Sequence, residues 1–549
     1  MKSFTLKSFF NQLHEKSVNN LVLAFVLFAI SGGYLYIAQK IASHSLFSVY
    51  VDDAFIHLRF AHNFASGYGF VWNRGAAPVE GFTSFLYVLF LILLEKIGIA
   101  PISTLPYIGA LFTILTLVIS LRLFEWINPG YPFENKVAVI MLGLSPHLLH
   151  WSFSGLETTL YTFLLTASAL AYLSYRFGHS PSWLVGSIFG VCALTRPESI
   201  ALFGITILFD LILDLANLRK RLTNVLIMIF SFGIVFIPVF LWKWSYFGYP
   251  FPNTYYAKTG AGLIQIQGGL LYLVKSLLNI SLRSLVPAIF IVLAFQWKLY
   301  RGYQARLYIL TIIAASCLII VTNGGDHFPG ARFLISMLPF LFALPSIGMT
   351  FFSNYFRKIN SVILYAPLLI LTITIWFPSA EAIFNHPTDL RPTNSTNLQY
   401  FDDWISGYIL MGKELHHKAS PEDTIALVPI GAIGYYSEMK VVDMVGLTDP
   451  VIAHEPFDYE YINSIETWRP GHDKGDGIYV LSKKPTYIQL IDRLTSRPLS
   501  GIDEQSLQYK SIVEIWNSAE FHDRYEFYPI QIQGGWYYNL YRRKDYAGD

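Results

Sequence analysis

Acidic residues set into an otherwise apolar chain are the first candidates for chemistry. Asp52 and Asp53 stand side by side in SVYVDDAFIHLRFAHNFASGYGFVWN. One Asp at a helix start caps free backbone N–H groups and suits the helix dipole. Two adjacent carboxylates repel, so the second needs another reason, and a carboxylate held at a membrane surface can serve a substrate that is half lipid. Glu157 follows a Ser-Gly break in HWSFSGLETTLYTF, where a capping acid is the competing reading. His147 and His150, spaced i, i+3, could join it around a divalent metal, although interfacial histidines are more often simply hydrogen-bonded; no metal ligand is assigned and no cofactor is required. In ALTRPESIALF, Pro197 ends one helix, because the residue before proline is pushed out of the α region. Arg196 and Glu198 flank that break, and taken alone they read as a turn with a solvated ion pair. Two further loops carry polar groups suited to a sugar or a phosphate. YFGYPFPNTYYAK offers Asn253, Tyr255 and Lys258, with Tyr246 and Phe247 read as an interfacial aromatic belt. TNGGDHFPGARFLISMLPF offers Asp326, His327 and Arg332 after a Gly-Gly pair. Glycines let backbone approach a ligand closely, and a fixed guanidinium grips phosphate oxygens in a bidentate way.

Apolar runs must position these groups, and a run of about 20 such residues spans a bilayer. Eleven candidate spans cover 19–41, 104–124, 136–153, 157–175, 182–195, 199–215, 223–243, 283–297, 307–322, 333–352 and 361–377. Phe85 to Leu94 is too short to cross and reads as an interfacial or re-entrant helix. Asp52 and Asp53 open a short helix whose apolar Ile56, Phe60 and Phe64 step by four, with Gly67 as its stop. Such a helix is expected to lie along the outer interface, with Arg59 among its substrate-binding residues. Lys/Arg concentrate in cytoplasmic loops. With the N-terminus inside, the eleven crossings put Arg176, Arg219-Lys220-Arg221, Lys298/Arg301/Arg306 and Arg357-Lys358 inside. The expected topology therefore places the C-terminal domain outside, together with seven acids: Asp52, Asp53, Glu80, Glu95, Glu157, Glu198 and Asp326. Acids near membrane level are costly and tend to mark functional sites.

The charge balance supports two domains. The 549 residues are 53% hydrophobic and only 14% charged, against roughly 25% charged in soluble proteins. The net charge of +2 hides a split at residue 377: 24 Lys/Arg and 12 Asp/Glu before it, 15 and 25 after it. Residues 1–377 read as a membrane domain and 378–549 as a soluble α/β domain, its β-like runs at 424–429, 440–443, 477–481 and 536–541 and its helical stretches at 402–418 and 486–497. Its acidity argues against a nucleic-acid partner. Trp468, Trp516 and Trp536 are either glycan-binding surfaces or core aromatics. The two cysteines, Cys192 and Cys317, lie in apolar runs, so a disulfide framework is excluded.

The order of motifs, Asp-Asp, SGLET, TRPE and GGDHFPGARF before an outer soluble domain, resembles the polytopic GT-C glycosyltransferases. Among them the chain is most similar to the family of the mycobacterial terminal β-(1→2)-arabinofuranosyltransferase, and more distantly to protein O-mannosyltransferases and the lipid A aminoarabinose transferase. IGAIGYYSEMKVVDMVGLTDP in the outer domain shares in the likeness. The resemblance implies inverting transfer of a sugar from a polyprenyl-phosphate donor to an envelope glycan, lipid or protein acceptor, on the outer face of a bacterial cytoplasmic membrane. It implies a catalytic acid at Asp52 or Asp53 and a second at Glu157, with Arg332, Lys258 and Arg196 where the carrier phosphate sits. The chain is rich in Ile, Phe, Asn and Lys, so an arabinofuranose donor does not follow. The rival class is a lipid-glycan flippase, transporter or receptor; a transporter should carry mid-span charges and inverted symmetry, whereas these charges gather at one face.

Overall fold

The computed structural model describes residues 6–213, 218–283, 303–328, 330–356, 361–382, 398–401, 403–462, 464–465, 468–503, 506–532 and 534–546. The first part is helical: α1 (Leu6–Ser43), α2 (Asp52–Ala65), α3 (Phe85–Lys96), α4 (Pro101–Ile127), α5 (Pro132–Gly143), α6 (Pro146–Ser152), α7 (Thr158–Arg176) and α8 (Ser182–Thr195). It continues through α9 (Glu198–Ile212), α10 (Leu218–Phe247), α11 (Asn253–Lys258), α12 (Gly262–Arg283), α13 (Tyr303–Thr322), α14 (Leu338–Tyr355) and α15 (Ser361–Ala382). In hydrocarbon only a helix satisfies its own backbone, which is why long apolar runs take this form. Among the described residues six stretches are long and apolar enough to cross a membrane: Phe25–Ser43, Pro101–Ile127, Arg221–Phe247, Gly262–Ile280, Tyr303–Thr322 and Arg332–Tyr355.

Three departures from the expected elements have local causes, and one expected span cannot be compared. The run 136–153 is two helices, α5 and α6, because Pro146 holds Ser145 extended at φ −69°, ψ 122°. Helix α12 is not among the eleven expected spans, because Gln265, Gln267 and Lys275 dilute its apolar run; it packs on α13 and needs only part of its surface apolar. The expected span 283–297 lies outside the described residues except for Arg283. This extra span-length helix alters the odd–even count, so the functional face is defined below by the C-terminal domain rather than by loop charge. Finally, α2 is not a surface helix: Ala54, Phe55, Ile56, Leu58 and Phe60 are all buried between α3 and the C-terminal domain. Helix α3, at 12 residues, extends about 18 Å and cannot cross a core of roughly 30 Å.

The C-terminal domain contains α16 (Trp404–Lys418), β1 (Thr424–Leu427), α17 (Gly431–Ser437), β2 (Lys440–Asp443), α18 (Pro450–Ala453), α19 (Gly477–Ser482), β3 (Tyr487–Gln489), α20 (Lys510–Trp516), α21 (Ala519–Arg524), β4 (Tyr525–Gln531) and β5 (Tyr537–Arg543). Its five-stranded sheet has the order β2-β1-β3-β5-β4. β1 is parallel to β2 and β3, and β5 is antiparallel to β3 and β4. The expected strand at 477–481 is α19, whose start Asp476 caps by accepting from Tyr479 N. The expected helix at 486–497 begins instead as β3, buried at all three positions. One buried apolar cluster runs from Tyr50 through the helices to Tyr541, so both parts share a core.

Candidate active site at the domain junction

Helix α2 is pinned at its start. Val51 N donates to Ser154 O at 3.0 Å, and Tyr87 Oη donates to Gly155 O at 2.9 Å. Gly155 has φ +79°, and a Cβ there would lie 2.8 Å from Ala54 Cβ. The Ser-Gly break is therefore what lets the Glu157 segment press against the Asp52-Asp53 turn.

The two aspartates point to different partners. Asp52 accepts from Gly431 N at 2.8 Å and Ala432 N at 2.7 Å, so it caps α17 of the C-terminal domain from outside that helix. A Cβ on Gly431 would come within 2.0 Å of Asp52 O, so the contact requires glycine. Burial raises the Asp52 carboxyl to about 6 against these two N–H bonds. Asp53 instead faces cations, with Arg332 Nη1 3.7 Å from its Oδ2. Burial pushes Asp53 up, but the nearby charges, Lys258 and then Arg332 foremost, outweigh it and hold the carboxyl below its ordinary value. Lys258 is itself lowered, by burial and by Arg332, against the pull of Asp53.

Two linked ion clusters extend from this point. Arg332 forks onto Asp326 (Nε–Oδ2 2.7 Å, Nη2–Oδ1 2.9 Å), and His327 Nδ1 lies 3.6 Å from Asp326 Oδ1. Arg196 joins Glu157 at 2.9 Å and Glu198 at 2.9 Å. With only 12% of the Arg196 side chain exposed, this is a buried network rather than the solvated pair expected from TRPE. The guanidinium carbons of Arg196 and Arg332 lie 5.1 and 5.2 Å from the Phe333 ring, which ties the clusters together. Arg332, Arg196 and Glu198 line a small cavity of about 40 Å³.

Asp52, Asp53 and His327 line a much larger cavity, of about 960 Å³, between the helices and the C-terminal domain. His147, His150 and Trp151 form part of its helical wall, and Trp404, Arg469, His472, Gln508 and Tyr509 part of the opposite wall. His472 meets His327 with ring centroids 4.5 Å apart, and burial with the neighbouring His327 and Lys258 lowers it to about 3. His327 is likewise lowered by burial. Both are neutral near pH 7. His147, His150 and Glu157 do not form a metal-ligand group; among the described residues no cluster of three such side chains exists.

Three of the expected substrate-binding residues are placed elsewhere. Arg59 donates to the carbonyls of Trp72, Gly434 and Met439 and to Asn73 Oδ1, which makes it a rivet between α2 and the C-terminal domain. Asn253 Nδ2 donates to Gly446 O at 2.8 Å and Leu447 O at 3.1 Å, a second rivet. Tyr255 is 46% exposed and packs on Phe251 and Tyr256, outside the cavity lining. Tyr246 is a clamp rather than a belt residue, accepting from Phe70 N, and Phe247 is buried. Trp468 donates to Gly324 O and Trp536 packs on Phe401, both as core aromatics, while Trp516 packs on Phe521. Glu80 is buried against Lys243, and half-buried Glu95 pairs with His62.

Sequence reasoning missed His57 and the C-terminal wall. His57 Nδ1 donates to Asp53 O at 2.9 Å, which leaves Nε2 to accept from Ser84 Oγ at 2.7 Å. Its i+4 spacing from Asp53 was a usable signal. Nothing local marks Arg469 or Trp404 for the cavity.

A family described as "Domain of unknown function (DUF8728)" matches residues 396–541. No curated protein matches the chain by sequence. Among solved structures, ArnT from Cupriavidus metallidurans bound to undecaprenyl phosphate superposes with TM-score 0.52 at 12% identity, covering 75% of this chain and 85% of that one. The archaeal oligosaccharyltransferase AglB from Archaeoglobus fulgidus, in complex with an inhibitory peptide and a dolichol-phosphate, gives TM-score 0.52 at 10% identity, covering 95% of this chain and 75% of that one. The chain is thus a polytopic helical membrane protein with a GT-C-like fold. Its particular form of that fold carries a C-terminal α/β domain riveted over the Asp53 cavity.

Proposed function

We propose that this protein is an inverting glycosyltransferase that moves a sugar from a polyprenyl-phosphate donor to an envelope glycan, lipid or protein acceptor, on the extracytoplasmic face of a bacterial cytoplasmic membrane. The observation that carries the proposal is the placement of Asp53: its carboxylate lines a cavity of about 960 Å³ and lies 3.7 Å from the Arg332 guanidinium, with Lys258 among the charges that hold it below its ordinary value. The ArnT and AglB structures hold undecaprenyl phosphate and dolichol-phosphate respectively, which supports a lipid-phosphate donor.

In the proposed reaction the acceptor hydroxyl gives its proton to Asp53 as its oxygen bonds to the anomeric carbon. The bond from that carbon to the phosphate oxygen breaks, through an oxocarbenium-like transition state. Its electrons remain on the phosphate, which departs with the polyprenyl chain and needs no proton. Attack opposite the leaving group inverts the carbon. Arg332 and Lys258 stabilise the growing phosphate charge in a site with little water. Asp326 holds the Arg332 fork, and Glu157 and Glu198 hold Arg196. A bound phosphate would also neutralise the cations that lower Asp53. Its pKa would then rise, and the base would strengthen only once the donor is in place. Trp404 and Tyr509 offer ring faces, and Arg469 and Gln508 polar groups, for a hydroxyl-rich acceptor opposite.

The test is transfer by the purified full chain in lipid nanodiscs, with a panel of polyprenyl-phosphate sugars and envelope acceptors. Asp53→Asn should lower kcat by about 10²–10⁴-fold with unchanged melting. Normal transfer by that variant would overturn the assignment.

A further inference from the structure

A second cavity, of about 280 Å³, lies at the far end of α2, lined by His62, Lys413, His416, His417, Tyr436 and Glu438, among others. His62 is nine residues beyond Asp53, about 13–14 Å along the helix, and Phe55 packs against Tyr435 and Tyr436 between the two sites. Around this cavity the acids are already committed. Glu95 pairs with His62 at 2.6 Å, Glu438 with Arg74 at 3.4 Å and Glu414 with Lys418 at 3.4 Å. Among the described residues no carboxylate lies within 4.0 Å of Lys413, His416 or His417, and Lys413 rests 5.3 Å from the Tyr436 ring. His416 and His417 stand in the last turn of α16, where basic residues suit the helix dipole, but that does not account for the cavity they line with Lys413.

The surroundings indicate what this cavity meets. Helix α3, too short to cross the membrane, runs beside α2 and ends next to the cavity, where its Glu95 meets His62. Leu93, Ile97 and Ile99 on and after α3 are 55%, 61% and 43% exposed. Lys96 stands among them, 6.0 Å from the Phe64 ring. An exposed apolar edge beside a lysine with no carboxylate partner among the described residues is the arrangement that receives an anionic headgroup.

We propose that this cavity binds the phosphate of an anionic membrane lipid and so anchors the C-terminal domain's edge to the bilayer, apart from the Asp53 site. The donors match phosphate oxygens: the Lys413 ammonium and the ring N–H groups of His416 and His417. The site does not depend on the glycosyltransferase reading, and its test measures binding alone.

The full chain in a nonionic detergent would be titrated with short-chain phosphatidylglycerol, short-chain phosphatidylcholine and inorganic phosphate, with binding followed by native mass spectrometry. The parent should prefer phosphatidylglycerol. The triple variant Lys413→Gln, His416→Gln, His417→Gln should bind it about ten-fold more weakly or worse, and Lys413→Glu alone should also weaken it. Because these side chains are exposed, both variants should melt with the parent. Equal affinity of the parent and the triple variant for phosphatidylglycerol would overturn the proposal, as would equal parent affinity for the two lipids. Inorganic phosphate binding as tightly as phosphatidylglycerol would overturn the lipid in favour of a soluble phosphate.

Discussion

Replacing Asp52 with alanine should loosen the C-terminal domain while leaving Asp53 in place. The side chain accepts two backbone N–H groups, from Gly431 and Ala432, at 2.8 and 2.7 Å. Truncation leaves both donors without their acceptor, and each such loss costs about 1–3 kcal/mol. Allowing for some relaxation, docking should weaken by about 2–4 kcal/mol, which makes the opened state roughly 30- to 900-fold more populated. Limited proteolysis of the detergent-solubilised chain reads that population when opening and closing are fast relative to cleavage. A pH dependence accompanies it. The docked carboxyl lies at about 6, above the ordinary 3.8, so the docked state holds an extra proton between those values. The Asp52 contribution is complete below pH 3.8 and falls as pH rises through about 6, a slope the alanine variant should lack. Transfer should fall in step with docking, and saturating donor should restore part of it. Parent-like protease resistance in Asp52→Ala, or a loss of kcat as deep as that of Asp53→Asn, would refute the division of labour between the two aspartates.

Other consequences are as direct. Because its cationic neighbours hold Asp53 below its ordinary value, the acid limb it contributes to kcat/KM should lie below pH 3.8, with no loss from this group at pH 5. A limb above pH 5 that moves in Asp53→Glu would contradict this. Gly155→Ala places a Cβ 2.8 Å from Ala54 in a left-handed turn; it should cost about 2–4 kcal/mol, seen as a lower melting temperature and reduced transfer. Arg59→Met removes donors from three carbonyls and should cost about 3–5 kcal/mol, lowering yield and melting while the surviving protein keeps its KM. A raised KM with unchanged melting would return Arg59 to substrate binding.

The membrane part was legible wherever one rule dominated. Long apolar runs became helices at 104–124, 223–243 and 307–322, and Pro197 divided α8 from α9 as expected. It was least legible where two tendencies competed. In α12, polar Gln265 and Lys275 hid a span-length helix, and in 136–153 Pro146 outweighed a continuous apolar run. Among site residues, Asp53, Lys258, Asp326, His327, Arg332, Arg196, Glu198 and Glu157 come together in linked clusters. Arg59 and Asn253 bridge to carbonyls of the C-terminal domain, contacts that spacing could not reveal, because a buried charge or amide serves a carbonyl across an interface as readily as it serves a ligand.

The sequence by itself determined the division into an apolar, acid-poor part and a polar part, because hydrocarbon tolerates few charges. It also determined which acids are conspicuous, because each one set in such a chain carries a cost. Only the tertiary structure decided which acid does what. Asp52 and Asp53 are chemically identical neighbours, but successive side chains on a helix project about 100° apart, so one meets the N–H groups of α17 and the other the guanidinium of Arg332. Those partners lie hundreds of residues along the chain: the N–H groups reach α2 from the C-terminal domain, and Arg332 reaches it from the segment that precedes α14.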